Sequence, residues 1–194
     1  MILLIDNYDS FSYNVVQLIG GLCKEIKGMD IKVIRNDEMT VAEVEKLAPT
    51  HIILSPGPGK PSEAGICEEV VQTMKGKCKI FGICLGHQGI CESFGGRITY
   101  AGKLMHGKQS LIKINSGSGI FKGLPDVVKV ARYHSLAADK NSIPEELEVI
   151  AKDDTGEVMA VKHKEYDIYG VQFHPESVMT PEGAVMMRNF LELV

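Results

Sequence analysis

The chain has 194 residues, 44% hydrophobic and 24% charged, a composition that suits one compact domain over residues 1–194 with a single sizeable core. Its 21 basic and 25 acidic side chains leave a net charge of −4 with no basic cluster, which argues against nucleic acid and anionic membrane as partners. No apolar run approaches the roughly 20 residues needed to span a bilayer. The opening MILLIDNYDS lacks a basic leader and a cleavage site, so a cytoplasmic protein is expected. Five cysteines, Cys23, Cys67, Cys78, Cys84 and Cys91, form an odd set without a CxxC pair. That spacing speaks against a disulfide framework and a zinc knuckle.

In chain order, Met1 to Ile5 is an apolar run that reads as a buried strand ending at Asp6. The stretch from Asp6 to Asn14, DNYDSFSYN, leads into a helix from about Asn14 to Leu22. Ser10 alone reads as capping chemistry. The tyrosines, phenylalanine and amides taken together, at a strand's carboxyl end, read as a binding surface. A second strand is expected over Ile31 to Arg35, and Thr40 with Glu43 forms a capping box for a helix to about Leu47. Pro49 stops that helix, and His51 to Leu54 gives a third strand in which His51 reads as structural.

The loop that follows, Ser55 to Pro61, holds three prolines and two glycines. Prolines fix φ and glycines let a backbone approach a ligand closely, so the loop is stiff and offers amides. It fails both the G-x-G-x-x-G and the GK[ST] phosphate-binding patterns. A rigid oxyanion-hole loop fits it better, with a plain connection as the alternative.

A helix over Ile66 to Lys75 leads to the strand Ile80 to Ile83, and Leu85 to Phe94 then reads as a helix closed by Gly95 and Gly96. Cys84 stands at the join, flanked by Gly82 and Gly86. This is a G-x-nucleophile-x-G elbow in which the helix amides favour a thiolate. The alternative is a small buried hydrophobe, the reading that also suits Cys91 two turns later. The alternation of strands and helices up to this point implies a parallel sheet covered on both faces, with its binding crevice at the strands' carboxyl ends.

From residue 97 the rhythm changes. Short strands are expected at Arg97 to Tyr100, Gln109 to Ile114, Val127 to Ala131, Glu148 to Ala151 and Val158 to His163, as antiparallel additions or a small satellite sheet. The segment 103–108 reads as a turn with His106 in it. Arg132 to Leu136, RYHSL, ends a strand and can lend backbone groups to a pocket. A last strand, Ile168 to Phe173, runs into His174-Pro175-Glu176, where His174 is a candidate base and Glu176 can orient its second nitrogen. Thr180 and Pro181 are expected to cap a final helix to about Leu193. The fold class is therefore α/β, a mostly parallel sheet with helices on both faces, a nucleophile elbow and short antiparallel strands.

Three motifs, FGICLGHQ at residues 81–88, SPGPG at 55–59 and QFHPES at 172–177, resemble together the class I (triad) glutamine amidotransferases. DNYDSFSYN and RYHSL resemble one branch, the small subunits of anthranilate synthase or aminodeoxychorismate synthase. Gly89 and Ser12 depart from that family's commoner Ala and Thr, small changes outside the catalytic set. The resemblance implies a triad of Cys84, His174 and Glu176 and an oxyanion hole from the amides of Gly57 and Leu85. It implies glutamine held by Gly57, Pro58, Gly59, Leu85, Gln88, Ser135 and Leu136, with neither metal nor other cofactor. It further implies a partner, the larger chorismate-binding synthase subunit, since the chain leaves no room for a second substrate domain. The Tyr8 to Asn14 surface is expected to report its docking. A stand-alone γ-glutamyl hydrolase and a non-catalytic binding module on the same fold remain the alternatives.

Overall fold

The computed structural model describes residues 1–26, 28–102, 105 and 107–193. The parallel half of the sheet forms from strands β1 (Ile2–Asp6), β2 (Ile31–Arg35), β3 (His51–Leu54) and β4 (Lys79–Ile83). The intervening helices are α1 (Ser12–Glu25), α2 (Val41–Leu47), α3 (Cys67–Met74) and α4 (Leu85–Ser93). Strands β1, β3 and β4 are apolar because both their faces are covered. Ile2 and Leu4 point to the side packed by α1, while Leu3 and Ile5 point to the side packed by α2, α3 and α4. Each such side chain contributes about 1.5–3 kcal/mol by burial.

The later strands are β5 (Ile98–Tyr100), β6 (Lys108–Ile114), β7 (Val127–Arg132), β8 (Leu136–Ala138), β9 (Leu147–Lys152), β10 (Val158–His163) and β11 (Ile168–Val171), before α5 (Gly183–Leu191). Among the described residues the main sheet has nine strands in the order β2-β1-β3-β4-β11-β10-β9-β6-β7. Strand β11 lies parallel to β4, and each pairing beyond it is antiparallel. Both expected arrangements of the late strands occur, because β5 and β8 form a separate two-stranded sheet.

Several local expectations change. Helix α1 begins at Ser12, two residues early, and Ser10 caps nothing: Asp9 accepts the Phe11 N–H at 2.8 Å and the Ser12 hydroxyl donates to Asp6 at 2.6 Å. Strand β11 stops at Val171, not Phe173, because Gln172 and His174 turn their amides to Met159 and Ala131. Helix α5 starts at Gly183, and Pro181 precedes it; Thr180 spends its hydroxyl on the His174 carbonyl at 2.7 Å. The capping box of Thr40 and Glu43 is present. His51 is packed edge-on to Phe190, and burial lowers its pKa to about 4, which suits a structural ring. Three residues of the segment 103–108 that reads as a turn, His106 among them, lie outside the described residues.

Candidate active site

The strand-to-helix elbow is built around Cys84. Its φ of 52° and ψ of −99° place it outside the ordinary regions for an L-residue, as a side chain held up from a sharp turn requires. The flanking glycines are explained by distance. A Cβ on Gly82 would lie 2.4 Å from the backbone of Gly86, and one on Gly86 would lie 2.5 Å from the Leu54 carbonyl oxygen. Strand and helix could not close on each other with larger residues there. The elbow is pinned on its strand side by the Cys84 N–H, which donates to Val171 O at 2.8 Å. Cys91 is fully buried, and its thiol is pushed up to about 12, so it is a core residue.

His174 reaches the same place from the end of β11. Its Nδ1 lies 2.6 Å from Glu176 Oε1, and the two side chains are almost wholly buried. Pro175 between them holds the turn, and Gly183 is required opposite it: a Cβ there would lie 1.9 Å from the Pro175 carbonyl oxygen. Burial opposes the charged form of the imidazole, but the adjoining Cys84 and Glu176 outweigh it and raise the His174 pKa from 6.5 to about 10. Nε2 has no aligned hydrogen-bond partner among the described residues, although Cys84 is the strongest upward influence on the ring. Both observations fit a thiol and an imidazole that are close but not collinear.

The imidazole is clamped by aromatic rings. Phe11 lies edge-on at 5.9 Å and Tyr133 at 5.0 Å between centroids, with the two aromatic rings 5.3 Å apart. The residue before Tyr133, Arg132, is a buried guanidinium paired with Asp153 at 2.9 Å and Glu157 at 2.5 Å. Thr180 stitches the same strand end to the histidine: its hydroxyl accepts the Ala131 N–H at 2.9 Å while donating to His174 O.

The loop from Ser55 to Pro61 approaches from the end of β3. Gly57 packs so tightly that a Cβ would lie 2.5 Å from Asn7 Cβ and 2.7 Å from Leu85 Cδ2. Among the described residues neither the Gly57 nor the Leu85 amide donates to a protein acceptor. Pro58 and Gly59 are exposed, Gly59 with a φ of 79°. On α4, the Gln88 side chain donates to Leu136 O at 2.9 Å and to Gln172 Oε1 at 3.1 Å, and Gln172 in turn points its amide at Cys84 Sγ at 3.6 Å. Ser135 is exposed beside Leu136. Sequence reasoning therefore missed Gln172, Tyr133, Arg132 and Thr180 as supports. The charged and aromatic character of RYHSL was visible, but a glutamine or threonine near a strand end carries no distinguishing signal.

The arrangement brings together a thiol at a strained elbow, an imidazole hydrogen-bonded to a carboxylate, and two amides that among the described residues have no protein acceptor. A family model described as class-I glutamine amidotransferase matches residues 3–194. The chain is 50% identical over 192 residues to the bifunctional protein TrpGD of Thermotoga maritima, covering 99% of this chain and 32% of that protein. It likewise spans only 51% and 24% of two multifunctional tryptophan biosynthesis proteins that it resembles. It is 48% identical to the aminodeoxychorismate/anthranilate synthase component 2 of Bacillus subtilis, covering 99% of this chain and 96% of that one. A crystal structure described as that of a GMP synthase subunit protein from Thermoplasma acidophilum superposes with a TM-score of 0.84 at 26% identity, covering 98% of this chain and 91% of the other. The chain belongs to the class-I glutamine amidotransferase family.

Proposed function

We propose that the chain hydrolyses L-glutamine to glutamate and ammonia, in the cytoplasm, and hands the ammonia to a larger chorismate-using synthase subunit. The observation that carries this reading is the buried Cys84–His174–Glu176 group, its imidazole pKa raised to about 10 by the thiol and the carboxylate against the effect of burial, together with the Gly57 and Leu85 amides, which among the described residues donate to no protein acceptor.

In this reading the Cys84 sulfur attacks the side-chain amide carbon of glutamine, and the carbonyl electrons move onto oxygen. The Gly57 and Leu85 amides receive that oxyanion; losing one such donor typically costs about 2.7–4 kcal/mol. Collapse breaks the C–N bond as His174 gives its proton to the leaving nitrogen, which departs as ammonia and leaves a glutamyl thioester. Water then attacks, His174 takes its proton, and the C–S bond breaks to release glutamate. Glu176 holds the imidazole in the orientation both steps need. Pro58, Gly59, Gln88, Ser135 and Leu136 line the approach and hold the amino-acid end of the substrate.

The partner proposal rests on the relatives' names and on an exposed surface beside the site. Tyr8 and Tyr13 are 54% and 73% exposed, yet Tyr8 is pegged by Asp37 at 2.7 Å and by Arg35 over its ring. Rigid, exposed aromatics suit a protein interface. The test is glutamate release by the purified chain, alone and with each kind of chorismate-using subunit plus chorismate. Stimulation by one partner, with anthranilate or aminodeoxychorismate formed, supports the proposal and assigns the pathway. High turnover unaffected by either partner identifies a stand-alone hydrolase, and inertness with both identifies a binding module.

A further inference from the structure

The Gly57 amide is useful only if it faces the reacting centre, and although Pro56 has a fixed φ, its ψ still decides where the Pro56–Gly57 peptide points. A trans peptide is planar, so the Gly57 N–H points opposite to the Pro56 carbonyl with which it shares a unit. That carbonyl is held: the Ser55 hydroxyl donates to Pro56 O at 2.7 Å. Ser55 is fully buried, and its hydroxyl has one proton to give. What directs the proton is Asn7, whose backbone N–H donates to the same Ser55 oxygen at 2.8 Å and occupies a lone pair. The Asn7 side chain then fixes the preceding peptide by donating Nδ2 to Ser55 O at 2.9 Å. Asn7 cannot rotate away, because its Oδ1 accepts from Asn36 Nδ2 at 2.9 Å and from the Cys67 thiol at 3.2 Å.

We infer that Ser55 and Asn7 are positioning residues which aim the Gly57 amide at the developing oxyanion. The inference rests on the glutaminase reading given above, and it extends that reading to residues that touch neither substrate nor the triad. It also accounts for the burial of three polar side chains, Asn7, Asn36 and Ser55, beside the Cys67 thiol where the ends of β1, β2 and β3 meet α3. A purely structural polar cluster would have no need to terminate on the carbonyl of a peptide whose N–H donates to no protein acceptor among the described residues. Asn7 is followed directly by the exposed Tyr8, which has a φ of 60°. A partner pressing on Tyr8 therefore has a short route, through Asn7 and Ser55, to the oxyanion donor.

Ser55→Ala removes the hydroxyl that holds Pro56 O, and Asn7→Asp turns the Nδ2 donor into an acceptor facing Ser55 O. Both variants, checked for native fold by circular dichroism, are assayed with L-glutamine alongside the wild-type chain in the presence of its synthase subunit. A mis-aimed donor predicts kcat about 10- to 100-fold lower with KM within about twofold. The second readout is carbamidomethylation of Cys84 by iodoacetamide, a displacement at carbon that develops no oxyanion; its rate is expected to stay within about twofold of wild type. If Ser55→Ala fails to fold, Asn7→Asp alone carries the test. Unchanged kcat in a folded variant overturns the inference, and so does a parallel fall in alkylation, which would mean general damage to the site. A wild-type chain inactive with every partner would overturn the glutaminase reading and this inference with it. An active wild type with an unimpaired variant overturns this inference alone.

Discussion

Glu176→Gln removes a buried negative charge while keeping the side chain's shape. The carboxylate oxygen lies 2.6 Å from His174 Nδ1, with almost no solvent-exposed side-chain surface to weaken the bond. A charge-assisted hydrogen bond of that kind contributes about 1.5–3 kcal/mol, and one pKa unit corresponds to about 1.36 kcal/mol. The His174 titration should therefore fall by about one to two units in the variant. NMR of histidine-labelled protein follows the ring directly. In the wild type it should stay protonated far above the ordinary 6.5, titrating toward about 10. Glutamine turnover should fall about 10- to 100-fold, because the imidazole loses the group that fixes its orientation. A wild-type His174 that titrates near 6.5, or a titration unmoved by the substitution, would refute the reasoning.

The same shift has a stability consequence. Because the folded pKa lies above the unfolded one, His174 contributes stability that is complete below about pH 6.5 and is lost as pH rises to about 10. Urea unfolding across that window should weaken with pH, and less steeply in Glu176→Gln. Gly57→Ala must displace a loop whose Cβ site lies 2.5 Å from Asn7, so kcat should drop more than about 100-fold and KM should rise as Pro58 and Gly59 move with it, as steady-state kinetics will read. Thr180→Val leaves the buried Ala131 N–H without its acceptor and leaves His174 O only the longer bond from the Ser177 N–H at 3.3 Å, at a cost of about 1–3 kcal/mol in denaturant unfolding. Tyr8→Ala and Tyr13→Ala should weaken partner affinity, measured calorimetrically, without altering the chain's own fold.

Much of the parallel half was legible because its signals are local. Apolar runs such as Ile52 to Leu54 and Ile80 to Ile83 fit only strands covered on two faces, and the Thr40–Glu43 box names its own helix start. The order of the late strands was not legible. The pairing of β6 with β9 joins segments separated by a long stretch of chain, and nothing in Lys113 or Ile114 names Lys152 or Ala151 as partner. Strand β8 escaped notice because Leu136-Ala137-Ala138 holds no β-branched or aromatic residue, whereas the equally short β5, Ile98-Thr99-Tyr100, is made of nothing else. The ends of β11 and α5 were misplaced for one reason: Gln172, His174 and Thr180 trade ladder and cap geometry for tertiary hydrogen bonds around the site. The candidate triad stood out because Gly82, Gly86 and Pro175 mark special backbone, whereas its supports, Arg132, Tyr133 and Gln172, are ordinary residues given meaning only by what they face.

The most direct test is intact-mass analysis of the chain quenched in acid during turnover of L-glutamine, followed by peptide mapping. The account predicts a wild-type population heavier by one glutamyl group, attached at Cys84 and absent from Cys84→Ser. Glutamate release without any such adduct, or an adduct on Cys67, Cys78 or Cys91, would contradict it.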